Sequence, residues 1–374
     1  MYPATHPGAR LGRGTSRYRR TFRSVHLLTG VGAAAALMLA GCGGDDDSTT
    51  ASDDGTGGGD PSPGSTSDQA SSDEGFPLAL DNCGFELTVE SAPERVVTIK
   101  STTTEMMLAL GLADRLVGTA FADGPVPDEY ADDVADVPVL SDQVPGQEAL
   151  FEAEPDFVFG GWESNFAVDA AGEREALADF GITTYVAPSA CKEPAYQPDP
   201  MTFDALFAHI HQLAQIFDVP DQADELVAEQ KALLDQVEAP GDGLTALWYS
   251  SGEDSPYVGG DIGAPAMMMR ELGVENIFAD IDDTWSNVSW EQVVDRDPDV
   301  IVLVDAAWNT ADNKIDLLES NAATAALSAV QEQRYLTLPF PAAEAGVRSA
   351  QAVVDLAGQL EQLDIQPGQT GAGS

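Results

Sequence analysis

A chain of 374 residues carries 17 Lys and Arg against 63 Asp and Glu, a formal net charge of −46. A surface this acidic cannot assemble the basic patch that phosphate neutralisation needs, which excludes nucleic-acid binding, and charge does not draw it to an anionic membrane. With 43% hydrophobic residues the chain can bury a core, its length fits about two domains, and three Cys and four His leave little for metal chemistry.

The charge is uneven. Residues 1–41 hold six Arg (Arg10, Arg13, Arg17, Arg19, Arg20 and Arg23) and no acid, and an apolar stretch from Leu27 to Ala40 follows. That stretch is shorter than the about 20 residues a spanning helix needs and has the length of a signal-peptide core. It ends in Leu39-Ala40-Gly41-Cys42, which resembles the lipobox of bacterial lipoproteins. The resemblance implies a signal peptide over 1–41 and a diacylated Cys42, giving an exported protein anchored by lipid to the outer face of the cytoplasmic membrane. The competing reading is an ordinary cleavage site beside an unrelated Cys. Tyr18-Arg19-Arg20-Thr21-Phe22 also resembles a twin-arginine signal.

Residues 43–75 are mostly Gly, Ser, Thr, Asp and Pro, with only Ala51 and Ala70 apolar. Such a composition cannot offset chain entropy by burial. Residues 42–80 therefore read as the lipidated Cys followed by a disordered acidic linker between lipid and globule. Cys83 and Cys191 remain as an even pair in an oxidising compartment, which favours a disulfide over two free thiols.

Beyond the linker, apolar runs that read as buried strands alternate with helical periodicity. Strands are expected at 96–99, 116–119, 137–140, 156–159 and 183–186, with helices at 103–110, 147–152 and 174–180 between them. Residues 201–240 form a helical connection: a first helix over 202–217 breaks near Pro220, and a second, over about 221–237, serves as a stiff interlobe helix. Strands follow at 244–249, 276–278, 300–304 and 335–338, with helices at 264–272, 290–296, 312–320 and 346–363. The fold class is α/β. An N-terminal lobe (81–200) and a C-terminal lobe (241–366), each with a mostly parallel sheet, flank a ligand cleft and are joined by one long rigid helix. Residues 367–374 read as a disordered tail.

A weak internal repeat supports two lobes. Glu148 precedes Pro155-Asp156 and an apolar run, and Glu291 precedes Pro298-Asp299 and another, with identical spacing. Each unit reads as a short helix, a Pro-Asp turn and a buried strand. Catalytic motifs are absent: no Walker loop, nucleophile elbow, His-Glu-x-x-His or Cys-x-x-Cys occurs. His209 and His211, two apart on a helix, point to different faces and cannot share one ion well.

The scarce cations are more informative. Lys100 ends a strand, with Thr102 just beyond it, and Lys192 follows another strand beside Cys191. Arg348 opens the last helix. Ligands of α/β sheets bind outside the carboxyl ends of strands, so these positions favour an anionic ligand over mere pairing with neighbouring acids. Aromatic residues fall similarly: Trp162, with Glu163 after it, then Trp248, Tyr249, Tyr257, Trp285 and Trp308, where rings can stack on a planar ligand.

Several segments in order resemble the class III periplasmic binding proteins, the iron-siderophore and cobalamin receptors of ABC importers. They are Ala92 to Val97, Thr103-Thr104-Glu105, Leu108 to Gly111, Arg115 to Gly118, Glu148 to Val158, Leu272 to Phe278 and Ser289 to Val302. The resemblance implies a monomeric, cofactor-free receptor, not an enzyme, that takes a small molecule to a membrane permease dimer. By its pattern, Glu148 and Glu291 would dock on the permease. Ser189 to Pro194, Leu247 to Gly252, Asp305 to Thr310 and Ala342 to Arg348 further resemble an actinobacterial subgroup proposed to import an anionic deazaflavin cofactor precursor. A ferric siderophore or cobalamin is the alternative ligand, and an extracellular hydrolase using cleft carboxylates the alternative class.

Overall fold

The computed structural model describes residues 75–363 and 365. The expectations for the signal segment, Cys42, the linker before residue 75 and the tail at 367–374 lie outside the described residues.

The described chain opens with a hairpin of β1 (Leu78–Asn82) and β2 (Phe85–Val89), paired antiparallel. Its loop is Cys83 (φ 56°) and Gly84 (φ 80°), both left-handed as a two-residue turn between twisted strands demands. The strand begins inside the stretch expected to be linker. Leu87 and Val89 alternate into the core, so period-2 burial overrides the polar composition just upstream.

The first lobe then runs β3 (Val96–Ile99), α1 (Ser101–Ala109), β4 (Leu116–Ala120), α2 (Ala131–Val134), β5 (Val139–Ser141), α3 (Gln147–Glu152), β6 (Phe157–Gly160), α4 (Arg174–Asp179) and β7 (Thr183–Val186). The five strands of its main sheet are parallel, in the order β5-β4-β3-β6-β7. Central β3 and β6 are buried along their whole length, which is why they read as unbroken apolar runs.

Two helices of fifteen residues make the connection: α5 (Phe203–Phe217) and α6 (Pro220–Leu234). Thr202 caps α5 by accepting from the Ala205 amide, left-handed Asp218 ends it, and Pro220 starts α6. The second helix thus stops three residues short of the expected Val237. It packs on α5, so the connector is a helical pair.

The second lobe comprises β8 (Thr245–Ser251), β9 (Tyr257–Gly259), α7 (Ala264–Leu272), β10 (Glu275–Asn276), β11 (Trp285–Asn287), α8 (Trp290–Arg296), β12 (Val300–Asp305), α9 (Ala311–Ser320), α10 (Ser328–Gln331), β13 (Tyr335–Pro339) and α11 (Ser349–Gln362). Its sheet runs β11-β9-β8-β12-β13, with β10 also on β8. Strands β8, β10, β12 and β13 are parallel, while β9 pairs antiparallel with both of its neighbours.

The internal repeat has a structural counterpart. The Asp156 carboxylate accepts from the Glu94 and Arg95 amides (2.9 and 3.0 Å) at the start of β3. The Asp299 carboxylate accepts from the Thr245 amide and hydroxyl (2.8 and 2.9 Å) at the start of β8. In each lobe the Asp fastens a strand (β6, β12) to the neighbour it pairs with (β3, β8). One buried apolar cluster extends through both lobes and the connector, from Met106 and Phe157 through Leu213 to Met268, Val302 and Leu356. Two smaller clusters fill the other faces of the sheets.

Candidate ligand cleft

The carboxyl ends of the parallel strands of both lobes converge on one cleft of about 610 Å³. That volume lies within the range of small-molecule sites. The first lobe supplies Thr102 after β3, Gly161, Trp162 and Ser164 after β6, and Ser189, Ala190 and Lys192 after β7. The second supplies Ser250 and Ser251 at the end of β8, Tyr257, Trp285, Trp308, Phe340 and Glu344. Of the residues expected from sequence, Thr102, Trp162, Lys192, Tyr257, Trp285 and Trp308 therefore line the cleft. Tyr257 and Trp285, diagonal neighbours across the β9–β11 pair, stack with centroids 5.8 Å apart and planes 16° apart. Trp308 is 62% exposed and meets Phe340 edge-on, a large apolar surface that a ligand ring can cover.

Five expected ligand residues are placed elsewhere. Trp248 and Tyr249 are fully buried inside β8, covered on both faces. The strand continues two residues beyond the expected end, so Ser250 and Ser251 reach the cleft in their place. The Tyr249 hydroxyl donates to the Gly252 carbonyl (2.7 Å). Arg348 is held by the Glu105 carboxylate, which accepts from Nε at 2.7 Å and also from Nη2, and it donates to the Pro125 carbonyl (2.7 Å). It ties the second lobe to the first and borders a separate groove along α6 and α11, not the cleft.

Lys100 is the fourth. It is fully buried, and its ammonium pairs with Asp123 while sitting 3.5 Å from the Trp162 ring centroid. Phe121 and Phe340 approach the same ammonium at 4.5 and 5.1 Å. Lys100 is thus the cation under the cleft floor, and it holds Trp162 by cation–π attraction. Gly161 allows this: a Cβ there would stand 2.7 Å from the Lys100 Cβ. Glu163 does not line the cleft either; its carboxylate accepts from the Lys192 amide (2.6 Å), fixing the loop that carries Lys192.

That loop has a second anchor. Cys83 and Cys191 are bonded, with Cα atoms 5.2 Å apart, so the hairpin turn is stapled to the residue before Lys192. The Arg174 guanidinium reinforces the hairpin by donating to the Asn82 carbonyl and side-chain oxygen (both 2.8 Å). Burial lowers the Arg174 pKa to about 10.

The sequence reading passed over Glu344. The Trp162 indole N–H donates to its Oε1 at 2.8 Å, linking the two lobes across the cleft floor. Burial pushes the Glu344 carboxyl up to about 7, with Lys100 pulling it down and Asp123 pushing it up. Asp283 also lines the cleft, and Lys192 is the one lining cation among the described residues. The strand-end rule that singled out Lys100 and Arg348 applies equally to Glu344, the polar residue soon after β13. Among 63 acidic residues, nothing in the sequence itself sets it apart.

Glu148 and Glu291 lie exposed in the first turns of α3 and α8. His209 is buried against Phe159 and Tyr185, its pKa lowered to about 4 by desolvation. Among the described residues no group of three or more His, Cys, Asp or Glu is arranged to hold a metal ion, and no helix is long and apolar enough to cross a membrane.

The periplasmic binding protein family profile matches residues 96–342. An uncharacterised ABC transporter substrate-binding lipoprotein, YvrC, of Bacillus subtilis is 25% identical over 307 residues, covering 79% of this chain and 90% of that one. A vitamin B12-binding protein of Pectobacterium carotovorum is 26% identical, covering 56% of this chain and 71% of its own length. The crystal structure of an ABC-type Fe3+-hydroxamate transport system protein from Saccharomonospora viridis superposes with a TM-score of 0.67 at 26% identity, covering 76% of this chain and 99% of that one.

Proposed function

From the premise that this chain belongs to the periplasmic binding protein family, as an ABC-importer solute receptor of the siderophore and cobalamin type and not an enzyme, we propose that it captures one planar, π-rich anion in the cleft. The observation that carries this reading is the aromatic lining: Trp162, Tyr257, Trp285, Trp308 and Phe340 line the cleft together with several hydroxyls, Lys192 and the carboxyls of Asp283 and Glu344. Lys192 supplies the anion contact, since Lys100 and Arg348 are already engaged. A deazaflavin cofactor precursor, a tricyclic ring with a phosphodiester tail, matches that division into a stacking wall and a single cation. Cobalamin and ferric hydroxamates, named for relatives, are the ligands it must be tested against. The receptor hands this cargo to a permease dimer, with Glu148 and Glu291 as docking residues. Diacylated Cys42 tethers it to the outer face of the cytoplasmic membrane, a reading supported by the lipobox pattern and by a lipoprotein relative.

Thermal shift on the full chain tests the ligand. A 5-deazaflavin phosphodiester at 100 times its Kd should stabilise by about 2.7 kcal/mol, read as a higher Tm, while ferric hydroxamate and cobalamin leave Tm unchanged. Lys192→Met should weaken the deazaflavin at least several-fold without lowering the ligand-free Tm, because Lys192 is exposed and structurally unburdened. A shift with cobalamin or ferric hydroxamate alone would reassign the ligand.

A further inference from the structure

The boundary between the lobes, from beneath the cleft floor to the neighbouring groove, holds an unbalanced set of charges. Lys100 and Arg348 provide two cations, against the three carboxylates of Asp123, Glu105 and Glu344. Lys100 pairs with Asp123 and Arg348 pairs with Glu105. Glu344 is left without a cationic partner. It is half-buried, and it is the carboxylate of the set that lines the cleft. Oε1 already accepts the Trp162 indole N–H at 2.8 Å, which leaves Oε2 for whatever enters. The other ionisable groups lining the cleft are Lys192, Asp283 and Tyr257.

We propose that Glu344 is a specificity-determining residue of the cleft that takes up one proton from solvent as the cargo binds: protonated, it donates from Oε2 to an anionic or carbonyl oxygen of the ligand, and ionised, it repels it. The inference rests on the anionic-ligand reading above and deepens it. The proton comes from solvent and returns there when the cargo leaves. No covalent bond forms. An anion placed between Lys192 and an ionised Glu344 would gain one attraction and suffer one repulsion at short range in a site partly withdrawn from water. Taking up a proton at Glu344 converts the repulsion into a hydrogen bond. Burial already holds this carboxyl near its midpoint at neutral pH, at about 7, so the uptake is easily made. Asp123 adds to the tendency by its charge, and Lys100 opposes it. Because Trp162 and Glu344 belong to different lobes, the same proton also tunes the contact across the cleft floor.

The test compares the full chain with Glu344→Gln, which keeps the amide in a donor-capable shape and cannot ionise. The probe is a 5-deazaflavin phosphodiester, with ferric hydroxamate and cobalamin as controls. Wild-type Kd for the deazaflavin should weaken roughly tenfold from pH 6 to pH 8, and calorimetry in two buffers of different ionisation enthalpy should count uptake of about one proton at pH 8. The variant should bind at both pH values as wild type does at pH 6. A wild-type Kd that ignores pH, or a variant that keeps the slope, overturns the proposal. If the deazaflavin fails to bind at either pH, the ligand reading falls, and tryptophan emission of the free protein then decides the matter. An emission transition near pH 7, present in wild type and absent from Glu344→Gln, supports proton exchange at the cleft floor. A flat wild-type trace between pH 5 and 9 overturns it.

Discussion

His209 shows how a residue with no part in the cleft governs the acid limit of the molecule. It sits on the buried face of α5 among Phe159 and Tyr185, and its Nε2 has no hydrogen-bond partner. Burial lowers its pKa from 6.5 to about 4. A His whose folded value is depressed stays neutral in the native state, while the unfolded chain takes up a proton below about 6.5. Its contribution to stability is therefore complete above pH 6.5 and is lost as pH falls towards 4. At 1.36 kcal/mol per pKa unit, the loss amounts to about 3 kcal/mol. His209→Leu should keep the fold at pH 7 and flatten the decline, so that variant and wild type differ more at pH 4.5 than at pH 7 in their urea midpoints. Protonation of surface acids relieves self-repulsion in both proteins alike, so it cancels in the comparison. An acid limb unchanged by the substitution would show that His209 is protonated without penalty.

The element scale explains which features were legible in the sequence. Strands β3 and β7 and helices α3, α7 and α8 fall at the expected residues because each is bounded by its own chemistry. Ser289 and Gln292 form a reciprocal capping box at α8, and left-handed Gly273 ends α7. The strands β1, β9 and β11 were not legible, since an antiparallel edge or hairpin strand of three to five mixed residues has no apolar run to mark it. The cleft was half legible for a related reason. Topology says where strands end, and so found Trp162 and Lys192. Sequence spacing cannot say whether a side chain at such an end turns into the cleft or folds beneath it, as Lys100 does under Trp162. The Cys83–Cys191 bond joins two elements far apart in the chain, 108 residues, around most of the first lobe. Loop-closure entropy for a ring of that size gives about 4.7 kcal/mol, and removing such bonds costs about 2–5 kcal/mol in practice. Cys83→Ser with Cys191→Ser should lower the urea midpoint accordingly. It should also weaken ligand binding, because Lys192 follows Cys191 directly and would then be held mainly by the Glu163 contact. Unchanged affinity in a destabilised variant would mean that Glu163 alone positions the loop.

At the scale of the whole molecule, the apolar cluster that runs through both lobes and the α5–α6 pair makes independent lobe motion costly, because lobe separation would expose apolar surface. Arg348 to Glu105 and Trp162 to Glu344 add two polar ties across the same boundary. A molecule of this build keeps a nearly fixed shape. That shape carries a near-repeat, with β6 fastened to β3 by Asp156 and β12 fastened to β8 by Asp299. Glu148 and Glu291 occupy matching places before those strands, each in the first turn of a short helix. Both α3 and α8 follow strands that run towards the cleft edge, so their N-termini start at that edge. In the docking role proposed above, two carboxylates presented once per lobe would suit a permease dimer whose two halves offer the same cationic contact twice. Glu291 is well prepared for this role: the amide of its own helix turn and the Ser289 hydroxyl hold its carboxyl below the usual glutamate range. It therefore stays ionised through the pH range in which Glu344 exchanges its proton, which separates docking from capture. Glu148→Arg combined with Glu291→Arg should abolish ligand uptake by whole cells while leaving the Kd and Tm of the purified protein unchanged. Either substitution alone should leave partial uptake that falls further as salt screens the remaining contact. Full uptake by the double variant would remove both residues from the docking surface and leave the two-lobe repeat as a purely architectural feature.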